Sequence, residues 1–241
     1  MNEPTRRFIT AYNEIDKFLR RFCKAGPQET FCSLVATAST TNAAVRSCSK
    51  DLREFADLRN AITHHYKEDQ PIATPLASTV QRFESLQGIL LSPPKIGDLF
   101  SKSVEACELS DPIGTVAANM LGSNYSQVPA YHRQRLVGLL TTDTIARWVA
   151  SCLKENDGIM EEAPVKAVME HAEYTDNYTL LDPKDTVFDA LECFADFHRR
   201  GKRLDAIIIA QGKKKANTPL GMMTASNIPE LYEVLAKSGC R

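Results

Sequence analysis

The sequence predicts an α+β protein in which an N-terminal α-helical up-and-down bundle precedes two β-α-β-β-α repeats. Three observations predict this architecture. Residues 1–92 carry apolar side chains at helical spacing, whereas from residue 93 onward short apolar strands alternate with helices. Two sequence signatures then occur twice in the second part. An internal repeat of this kind defines the architecture before any single element is assigned.

Four helices are predicted in residues 1–92. The first covers residues 5–24, and its apolar side chains form one stripe: Phe8, Tyr12, Ile15, Leu19 and Phe22. The other three are predicted over residues 29–39, 42–66 and 76–91. Short turns between such helices favour an up-and-down bundle. Ser92-Pro93-Pro94 ends the last helix and marks the domain boundary.

The stretch that organises the second part is a short apolar strand, a glycine, two apolar residues and a threonine, followed by a helix. It occupies residues 136–145 and again residues 219–228. The two threonines, Thr141 and Thr224, stand where an N-cap should, since a hydroxyl there can accept a hydrogen bond from an otherwise unpaired amide. Amides left free at such a helix start can hold a phosphate.

A second signature begins with Asp-Pro and lies upstream of each turn, at Asp111 and at Asp182. The offset between the copies is 182 − 111 = 71 residues at this signature, and 221 − 138 = 83 at Gly138 and Gly221. The sequence therefore predicts a second repeat that is 12 residues longer (83 − 71), with a longer helix and a longer hairpin loop.

The elements of each repeat follow from local patterning. In the first repeat, residues 93–154, we predict a lead-in helix over residues 96–100 and two further helices over residues 112–121 and 142–153. Its strands are predicted over residues 104–108, 127–131 and 135–140. In the second repeat, residues 164–241, the lead-in segment is predicted over residues 165–168 and the helices over residues 186–200 and 225–237. Its strands are predicted over residues 178–181, 205–210 and 219–223. Residues 155–163 are polar and acidic and are predicted to be the linker.

With its two Gly-x-x-Thr turns, its Asp-Pro starts of helices and its Val128-Pro129 strand, the second part resembles a tandem pair of CBS domains, a Bateman module. The resemblance covers about residues 93–235. It implies that the repeats pack as a pseudo-symmetric pair whose clefts bind an adenosine nucleotide, AMP, ATP or a related one, as a regulatory ligand. It also implies a homodimer through the CBS helices, which would leave these apolar residues exposed on one chain: Ile145, Trp148, Val149, Leu231 and Leu235.

The resemblance also assigns site residues. Thr141 and Thr224 match the threonine of the family, and the polar residue three positions later is usually an Asp that holds the ribose hydroxyls. Here Thr144 and Asn227 occupy those positions, and each can still form a hydrogen bond to a hydroxyl. Arg147, one turn into the helix, has the length to reach a phosphate.

Two further interpretations bear on these turns. Asp143 stands one residue early, and adjacent helix positions point about 100° apart, so it is not expected to replace the Asp of the family. The alternative to ligand binding is that both turns are simply capped helix starts and the clefts stay empty.

A second candidate site lies late on the third predicted helix, at Arg59, Asn60 and His64. Asn60 and His64 are four residues apart and share a helix face, and Arg59 lies beside that face. A histidine can move protons at a phosphodiester, and an arginine can stabilise the charge of the transition state. In a helical bundle this motif resembles the HEPN domain, where it marks metal-independent ribonucleases and also many inactive members. The alternative is that the helix dipole alone favours Arg and His there.

Composition limits the function classes. The net charge is −1, with +2 over residues 1–92 and −3 over the remainder, so the strong basic excess of a non-specific nucleic-acid binder is missing. Seven cysteines without a Cys-x-x-Cys pair indicate a reducing compartment, and five histidines show no metal-ligand spacing. Without a membrane-length apolar run or a signal-peptide pattern, we expect a cytoplasmic protein that uses no metal.

Three hypotheses for the function follow. The first is a nucleotide-sensing regulatory protein, in which a CBS pair controls the N-terminal helical domain. The second is an enzyme, a metal-independent HEPN-type ribonuclease that is gated by the CBS pair and binds RNA at the helical domain. The third is a dimerisation scaffold without a ligand.

Overall fold

The computed structural model describes residues 2–64, 66–67, 70–71, 73–155, 160–212 and 219–237, with the side chains of 64, 66–67 and 70–71 left out. The chain forms two compact units. The helical unit comprises Met1–Pro94, Thr186–Glu192 and Pro229–Arg241. The repeat unit comprises Lys95–Asp185 and Cys193–Ile228. None of the helices in the described ranges is long and apolar enough to cross a membrane.

Five helices of the helical unit come from the N-terminal part of the chain: α1 (Glu3–Cys23), α2 (Phe31–Ser39), α3 (Ala43–Ser47), α4 (Ser49–His64) and α5 (Ala77–Leu91). The first three helices are capped by Asn2, Thr30 and Asn42. Each of these side chains accepts a hydrogen bond from the backbone amide three residues later, at 2.9 to 3.2 Å. These caps satisfy amides that have no partner within the helix.

Aromatic rings form the centre of the helical unit. The ring centroid of Phe83 lies 4.3 Å from that of Phe55 and 4.9 Å from that of Phe8. The predicted stripe on α1 is buried from Phe8 to Leu19, but Phe22 in the last turn is 41% exposed. The helical core therefore contacts all but the end of α1.

The predicted third helix, residues 42–66, is wrong in two respects. It is interrupted at Cys48, which separates α3 from α4, and it ends at His64. The side chain of Arg46 donates to the carbonyl oxygens of Ser39 at 2.6 Å and Thr40 at 2.9 Å, and these bonds hold the corner before the interruption. Apolar periodicity alone does not reveal a one-residue interruption.

A short antiparallel hairpin follows α4. Its strands are β1 (Tyr66–Lys67) and β2 (Gln70–Pro71), with Tyr66 opposite Pro71. Tyr66 was predicted to be helical, so this end of the third helix is replaced by extended backbone. The prolines that follow favour such a conformation.

The first repeat contains these elements: α6 (Ile96–Phe100), β3 (Cys107–Glu108), α7 (Ile113–Gly122), β4 (Gln127–His132), β5 (Arg135–Thr141) and α8 (Thr142–Glu155). Its sheet has the order β3-β4-β5, with β3 parallel to β4 and β4 antiparallel to β5. Arg133 and Gln134 both have positive φ, 49° and 63°, as a two-residue hairpin turn of type I′ requires.

The second repeat contains α9 (Val165–Met169), β6 (Tyr178–Leu181), α10 (Val187–Arg199), β7 (Ala206–Ile209), β8 (Gly221–Met223) and α11 (Ile228–Lys237), with a 3₁₀ turn over Ala225–Asn227 before α11. Its sheet has the order β6-β7-β8 and the same strand directions as the first sheet. The predicted β-α-β-β-α topology is therefore confirmed in both repeats. Lys213, Lys214 and Lys215, predicted at the hairpin tip, lie outside the described residues.

The Asp-Pro signature does not give the structural correspondence between the repeats. The Asp111 carboxylate accepts a hydrogen bond from the Glu108 amide at 2.8 Å, and the Asp185 carboxylate accepts one from the Asp182 amide at the same distance. Asp111 therefore corresponds to Asp185, at an offset of 185 − 111 = 74 residues. The predicted match of Asp111 with Asp182 is wrong by three residues, because both residues are aspartates close to the same turn.

The strand registers give the remaining offsets. Ala130 lies opposite Gly138, and Ile209 lies opposite Gly221, so the second strands correspond at 209 − 130 = 79. Gly138 and Gly221 themselves correspond at an offset of 221 − 138 = 83 residues. The second repeat is thus 83 − 74 = 9 residues longer, not 12: five residues are added before its second strand and four in its hairpin.

The two repeats exchange their lead-in helices. In α6, the amide of Ile96 donates to the Asp185 carbonyl at 2.9 Å, and the amide of Gly97 donates to the Pro183 carbonyl at 3.0 Å. In α9, the amides of Val165 and Lys166 donate at 2.9 Å to the matched positions of the first repeat, the carbonyls of Asp111 and Leu109. Each lead-in helix therefore docks on the strand-helix turn of the other repeat.

Two apolar clusters stabilise the repeat unit. One contains residues of both sheets: Leu136, Leu139, Tyr178, Leu180, Ala206, Ile208 and Met222. The other joins the first repeat to α9 and includes Trp148, with Ile145 and Val149 packed against it. Leu231 and Leu235 of α11 are also buried, at 0% and 5% exposure. The expectation of exposure is therefore wrong for Trp148, Leu231 and Leu235, whereas Ile145 and Val149 are partly buried.

Candidate functional site

The first repeated turn joins β5 to α8. Thr141 Oγ1 accepts a hydrogen bond from the Thr144 amide at 3.1 Å and lies 2.9 Å from the Thr144 hydroxyl. Both residues are buried, with 8% and 4% exposure. The predicted cap is confirmed, and the Thr144 hydroxyl is directed at Thr141.

The second repeated turn joins β8 to the 3₁₀ turn before α11. The Thr224 amide donates to Asn227 Oδ1 at 2.9 Å, and the Thr224 hydroxyl lies 2.6 Å from that of Ser226. The Thr224 side chain also accepts from the Asn227 amide, so the two residues form a reciprocal capping box. The two turns therefore share a threonine cap and differ at the polar position three residues later.

A small cavity lies at the first turn. Thr141, Thr144 and Arg147 line it with one other residue of α8 and with residues that precede β6 and β7: Asp143, Glu173, Tyr174, Asn177, Arg203 and Asp205. Thr224 and Asn227 do not line it. Its volume is about 10 Å³, the space of a single water. Three of the five predicted ligand residues thus lie together, and they face the second repeat.

Ion pairs fill this cavity. Arg147 forms one with Glu173, and Arg203 lies 3.0 Å from the Asp143 carboxylate and 2.6 Å from the Asp205 carboxylate. Asp205 is held in turn by the amide of Asn177, a residue of 4% exposure, which donates to it at 2.6 Å. The two guanidinium groups at the cavity are therefore neutralised by carboxylates of the chain itself.

Asp143 lies where it was not expected. It lines the same cavity as Thr141 and Thr144, although a helix position one residue early should point about 100° away. The ion pair with Arg203 explains this, because Arg203 precedes β7 and approaches α8 from the second repeat. A helix-face argument on α8 alone does not include that partner.

Sequence reasoning missed Arg203, Asp205, Asn177 and Glu173. Each precedes a strand of the second repeat, and polar residues in loops beside a rigid sheet are candidate site residues. That signal identifies the loops, but only the packing of the two sheets brings them to the Thr141 turn.

The second candidate site is described in part. Arg59 Nη1 donates to Asn60 Oδ1 at 3.3 Å, and its guanidinium carbon lies 5.5 Å from the ring centroid of Tyr12. Burial raises the pKa of Tyr12 to about 12, although the charge of Arg59 acts in the opposite direction. His64 is the last residue of α4, and its side chain lies outside the described residues. Arg59 and Asn60 are thus in contact, and their arrangement with His64 stays a prediction.

No group of three or more His, Cys, Asp or Glu side chains that could hold a metal ion occurs in the part of the chain that the structure describes.

Comparison with known proteins identifies one domain. Residues 96–151 match the CBS domain. No curated protein matches the chain.

Several solved structures resemble part of the chain. A CBS domain-containing protein of unknown function from Kribbella flavida has 14% identity and a TM-score of 0.42, and the match covers 57% of this chain and 97% of that one. CBSX2 in complex with AMP has 10% identity and a TM-score of 0.44, covering 59% and 98%. The CBS domain pair of protein MJ0100, in complex with 5′-methylthioadenosine and S-adenosyl-L-methionine, has 16% identity and a TM-score of 0.41, covering 59% and 98%. The match of residues 96–151 identifies that segment as a CBS domain.

Proposed function

We propose that this chain is a cytoplasmic, nucleotide-sensing regulatory protein, in which the repeats form a pseudo-symmetric CBS pair that binds an adenosine nucleotide and controls the helical domain. One observation carries the proposal. At the Thr141 turn, the first repeat presents Arg147 and the second presents Arg203 to the same small cavity. Two arginines from different repeats can clamp one phosphate group. A ligand held in this way would link the repeats.

The carboxylates of Glu173 and Asp143, which form ion pairs with Arg147 and Arg203, compete only weakly with a phosphate. Arg147 and Glu173 keep 51% and 45% of their side chains exposed, and Arg203 and Asp143 keep 49% and 60%. Exposed ion pairs of this kind contribute about 0–1 kcal/mol each. A phosphate can accept charge-assisted hydrogen bonds from both guanidinium groups at once, so it can replace Glu173 and Asp143, while Asp205, which is 14% exposed, stays beside Arg203.

The turn at Thr224 is the second proposed ligand site. Asn227 offers both a donor and an acceptor to a ribose, whereas Thr144 offers one hydroxyl. We therefore expect Asn227 to contribute more than Thr144 to ribose binding. The Asn227 carbonyl oxygen accepts from the Thr224 amide, which fixes the side chain at the turn.

Calorimetry and thermal melts with AMP, ATP and cyclic dinucleotides test the proposal. A ligand at 100 times its Kd should raise the free energy of unfolding by about 2.7 kcal/mol. Arg203→Gln should weaken AMP binding. Arg7→Gln is the matched control, since Arg7 is half-exposed and ion-paired to Glu84 in the helical unit. If no nucleotide binds at millimolar concentration, the proposal of a ligand-free scaffold replaces this one.

The regulatory protein is proposed to act as a homodimer through helices of the first repeat. A groove of about 450 Å³ lies beside α7 and α8 and includes Met120, Leu121, Tyr125 and Ile145. Leu121 is 85% exposed and Tyr125 is 40% exposed. A two-fold interface that pairs this face with itself would cover both. Sedimentation that shows a 26.8 kDa monomer at micromolar concentration would contradict the dimer.

The alternative function is a HEPN-type ribonuclease that needs no metal and is gated by the CBS pair. The observation that favours it is the Arg59 guanidinium over the ring of Tyr12, with Asn60 beside it. In a dimer, two such groups with His64 would bind RNA at the helical domain. Single-stranded RNA is incubated with the protein in EDTA, with and without nucleotide. Cleavage that is lost in both Arg59→Ala and His64→Ala supports the enzyme, and cleavage that survives both is contamination.

A further inference from the structure

Two carboxylates bind the same guanidinium group at the Thr141 cavity, and they differ in how exposed they are. The Nε atom of Arg203 donates to an Asp205 oxygen at 2.6 Å, whereas its Nη1 atom lies 3.0 Å from an Asp143 oxygen. The Asp205 side chain is 14% exposed and the Asp143 side chain is 60% exposed. Asp205 therefore holds one edge of the guanidinium, and the other edge is bound by a side chain that can turn into water.

Asp205 is fixed by its own neighbours. Its second carboxylate oxygen accepts a hydrogen bond from the Asn177 side chain at 2.6 Å, and its backbone amide donates to the Asn177 carbonyl at 2.7 Å. Its backbone carbonyl accepts from the Gln127 side chain at 3.1 Å. Asn177 is buried, and β7 begins at the residue after Asp205. Arg203 is thus oriented by a rigid partner before a ligand arrives, which lowers the entropic cost of binding.

The charge of the cavity limits which anion it can accept. Its described charged residues are Arg147 and Arg203 against Asp143, Glu173 and Asp205, a formal charge of 2 − 3 = −1. One phosphate group can replace the two exposed carboxylates, Asp143 and Glu173, because exposed ion pairs are weak. Further phosphates would meet Asp205 and the displaced carboxylates, and like charges at close range repel each other.

We propose that the Thr141 cavity selects a nucleoside monophosphate over a polyphosphate, and that Asp205 is a positioning residue that directs Arg203 at the single phosphate. Asp143 and Glu173 act only as competitors of that phosphate. The inference rests on the proposed function above and deepens it. It names the class of the nucleotide and gives opposite roles to two carboxylates that bind the same arginine.

Isothermal titration calorimetry of the full chain with AMP and with ATP tests the ligand class. EDTA is present, so that no metal ion neutralises the phosphates. ATP carries about two more negative charges than AMP, so AMP should bind at least about tenfold more tightly. ATP that binds as tightly as AMP would overturn the selectivity.

Two matched variants test the roles of the carboxylates, since each replaces one carboxylate on Arg203 by a neutral amide of the same size. Asp143→Asn removes a competitor and should tighten AMP binding about threefold. Asp205→Asn removes the group that orients Arg203 and should weaken AMP binding about three- to tenfold. Tighter AMP binding in both variants would overturn the assignment, because Asp205 would then be a third competitor.

A double-mutant cycle separates positioning from support of the fold. If Asp205 acts through Arg203, then Asp205→Asn should change AMP binding less than about twofold once Arg203→Gln is in place. A loss of equal size in both backgrounds would mean that Asp205 is only structural, and would overturn the positioning role. Arg7→Gln is again the control, because Arg7 lies in the helical unit.

The outcomes separate this inference from the function on which it rests. Absence of binding by both AMP and ATP at millimolar concentration would overturn the proposed function itself. Equal binding of the two nucleotides, or tighter AMP binding in Asp205→Asn, would overturn the inference and leave nucleotide binding intact. If the circular dichroism of Asp205→Asn differs from that of the parent, the AMP and ATP affinities of the parent and of Asp143→Asn decide.

Discussion

Tyr131 allows a direct test of the cost of a buried hydroxyl in this fold. It lies in β4, next to a shift in strand register at Ala130, and it is 5% exposed. Among the atoms that the structure describes, its hydroxyl oxygen has no hydrogen-bond partner. Burial raises the pKa of this phenol to about 12. Tyr131→Phe would remove the hydroxyl and keep the ring.

The expected change is a gain in stability. A buried polar group without a partner costs about 1–3 kcal/mol. The void left by a hydroxyl, about 10 Å³, costs only about 0.2 kcal/mol at roughly 24 cal/mol per Å³. The free energy of unfolding should therefore rise by about 1–2 kcal/mol in Tyr131→Phe.

Urea unfolding followed by circular dichroism measures this change. Tyr125→Phe is the control, because Tyr125 is 40% exposed and its substitution should change the free energy of unfolding by less than about 0.5 kcal/mol. A loss of stability in Tyr131→Phe would refute the reasoning, since it would mean that the hydroxyl forms a bond, for example to an ordered water.

The raised pKa of Tyr131 also predicts that the free energy of unfolding depends on pH, which the same variant tests. The folded pKa of Tyr131, about 12, lies above the value of 10.0 for an unperturbed tyrosine. The stability that this raised pKa contributes is complete below pH 10 and is lost as the pH rises toward 12. Tyr131→Phe should therefore lose less stability than the parent between these two pH values, and equal losses would contradict the shift.

Three other predictions concern the core, the surface and the thiols. Phe83→Ala removes a fully buried ring that contacts Phe8 and Phe55, and should lower the free energy of unfolding by about 3–5 kcal/mol in a urea titration. Leu121→Asp should convert the proposed dimer to the 26.8 kDa monomer in sedimentation, and an unchanged dimer would move the interface elsewhere. Burial raises the pKa of Cys107 to about 12, so iodoacetamide at pH 8.5 should label exposed Cys32 and spare Cys107 in a mass-spectrometric digest.

Local patterning predicted most of the second part of the chain. The strand at residues 178–181 and the lead-in helix at residues 96–100 were predicted with the bounds that the structure has, because apolar runs flanked by polar turns are decided by neighbouring residues. The interruption at Cys48 was missed for the same reason. Val45 and Leu52 are seven residues apart and both fully buried, a spacing that fits one continuous helix as well as two.

Only part of the site was predicted, because its other residues are far from the Thr141 turn in the sequence. Thr141, Thr144 and Arg147 share one turn, and the repeated motif was sufficient to find them. Arg203 reaches the same cavity only after the sheets pack face to face, and no sequence spacing connects it to Thr141. The matching of Asp111 with Asp182 instead of Asp185 has a related cause. The letters Asp-Pro do not show which aspartate carboxylate accepts a hydrogen bond from the amide three residues earlier.

The exchange of lead-in helices has a consequence for the origin of the molecule. Each strand-helix turn receives two amide donors from the helix that precedes the opposite repeat, and these bonds do not depend on which chain supplies that helix. Two identical single-repeat polypeptides could make the same four bonds by trading their N-terminal arms. In that view, the present chain is a domain-swapped dimer whose partners became joined by gene duplication and fusion. Neither half would then be a self-sufficient module, and a fragment that ends in the linker would leave the carbonyls of Leu109 and Asp111 without their donors.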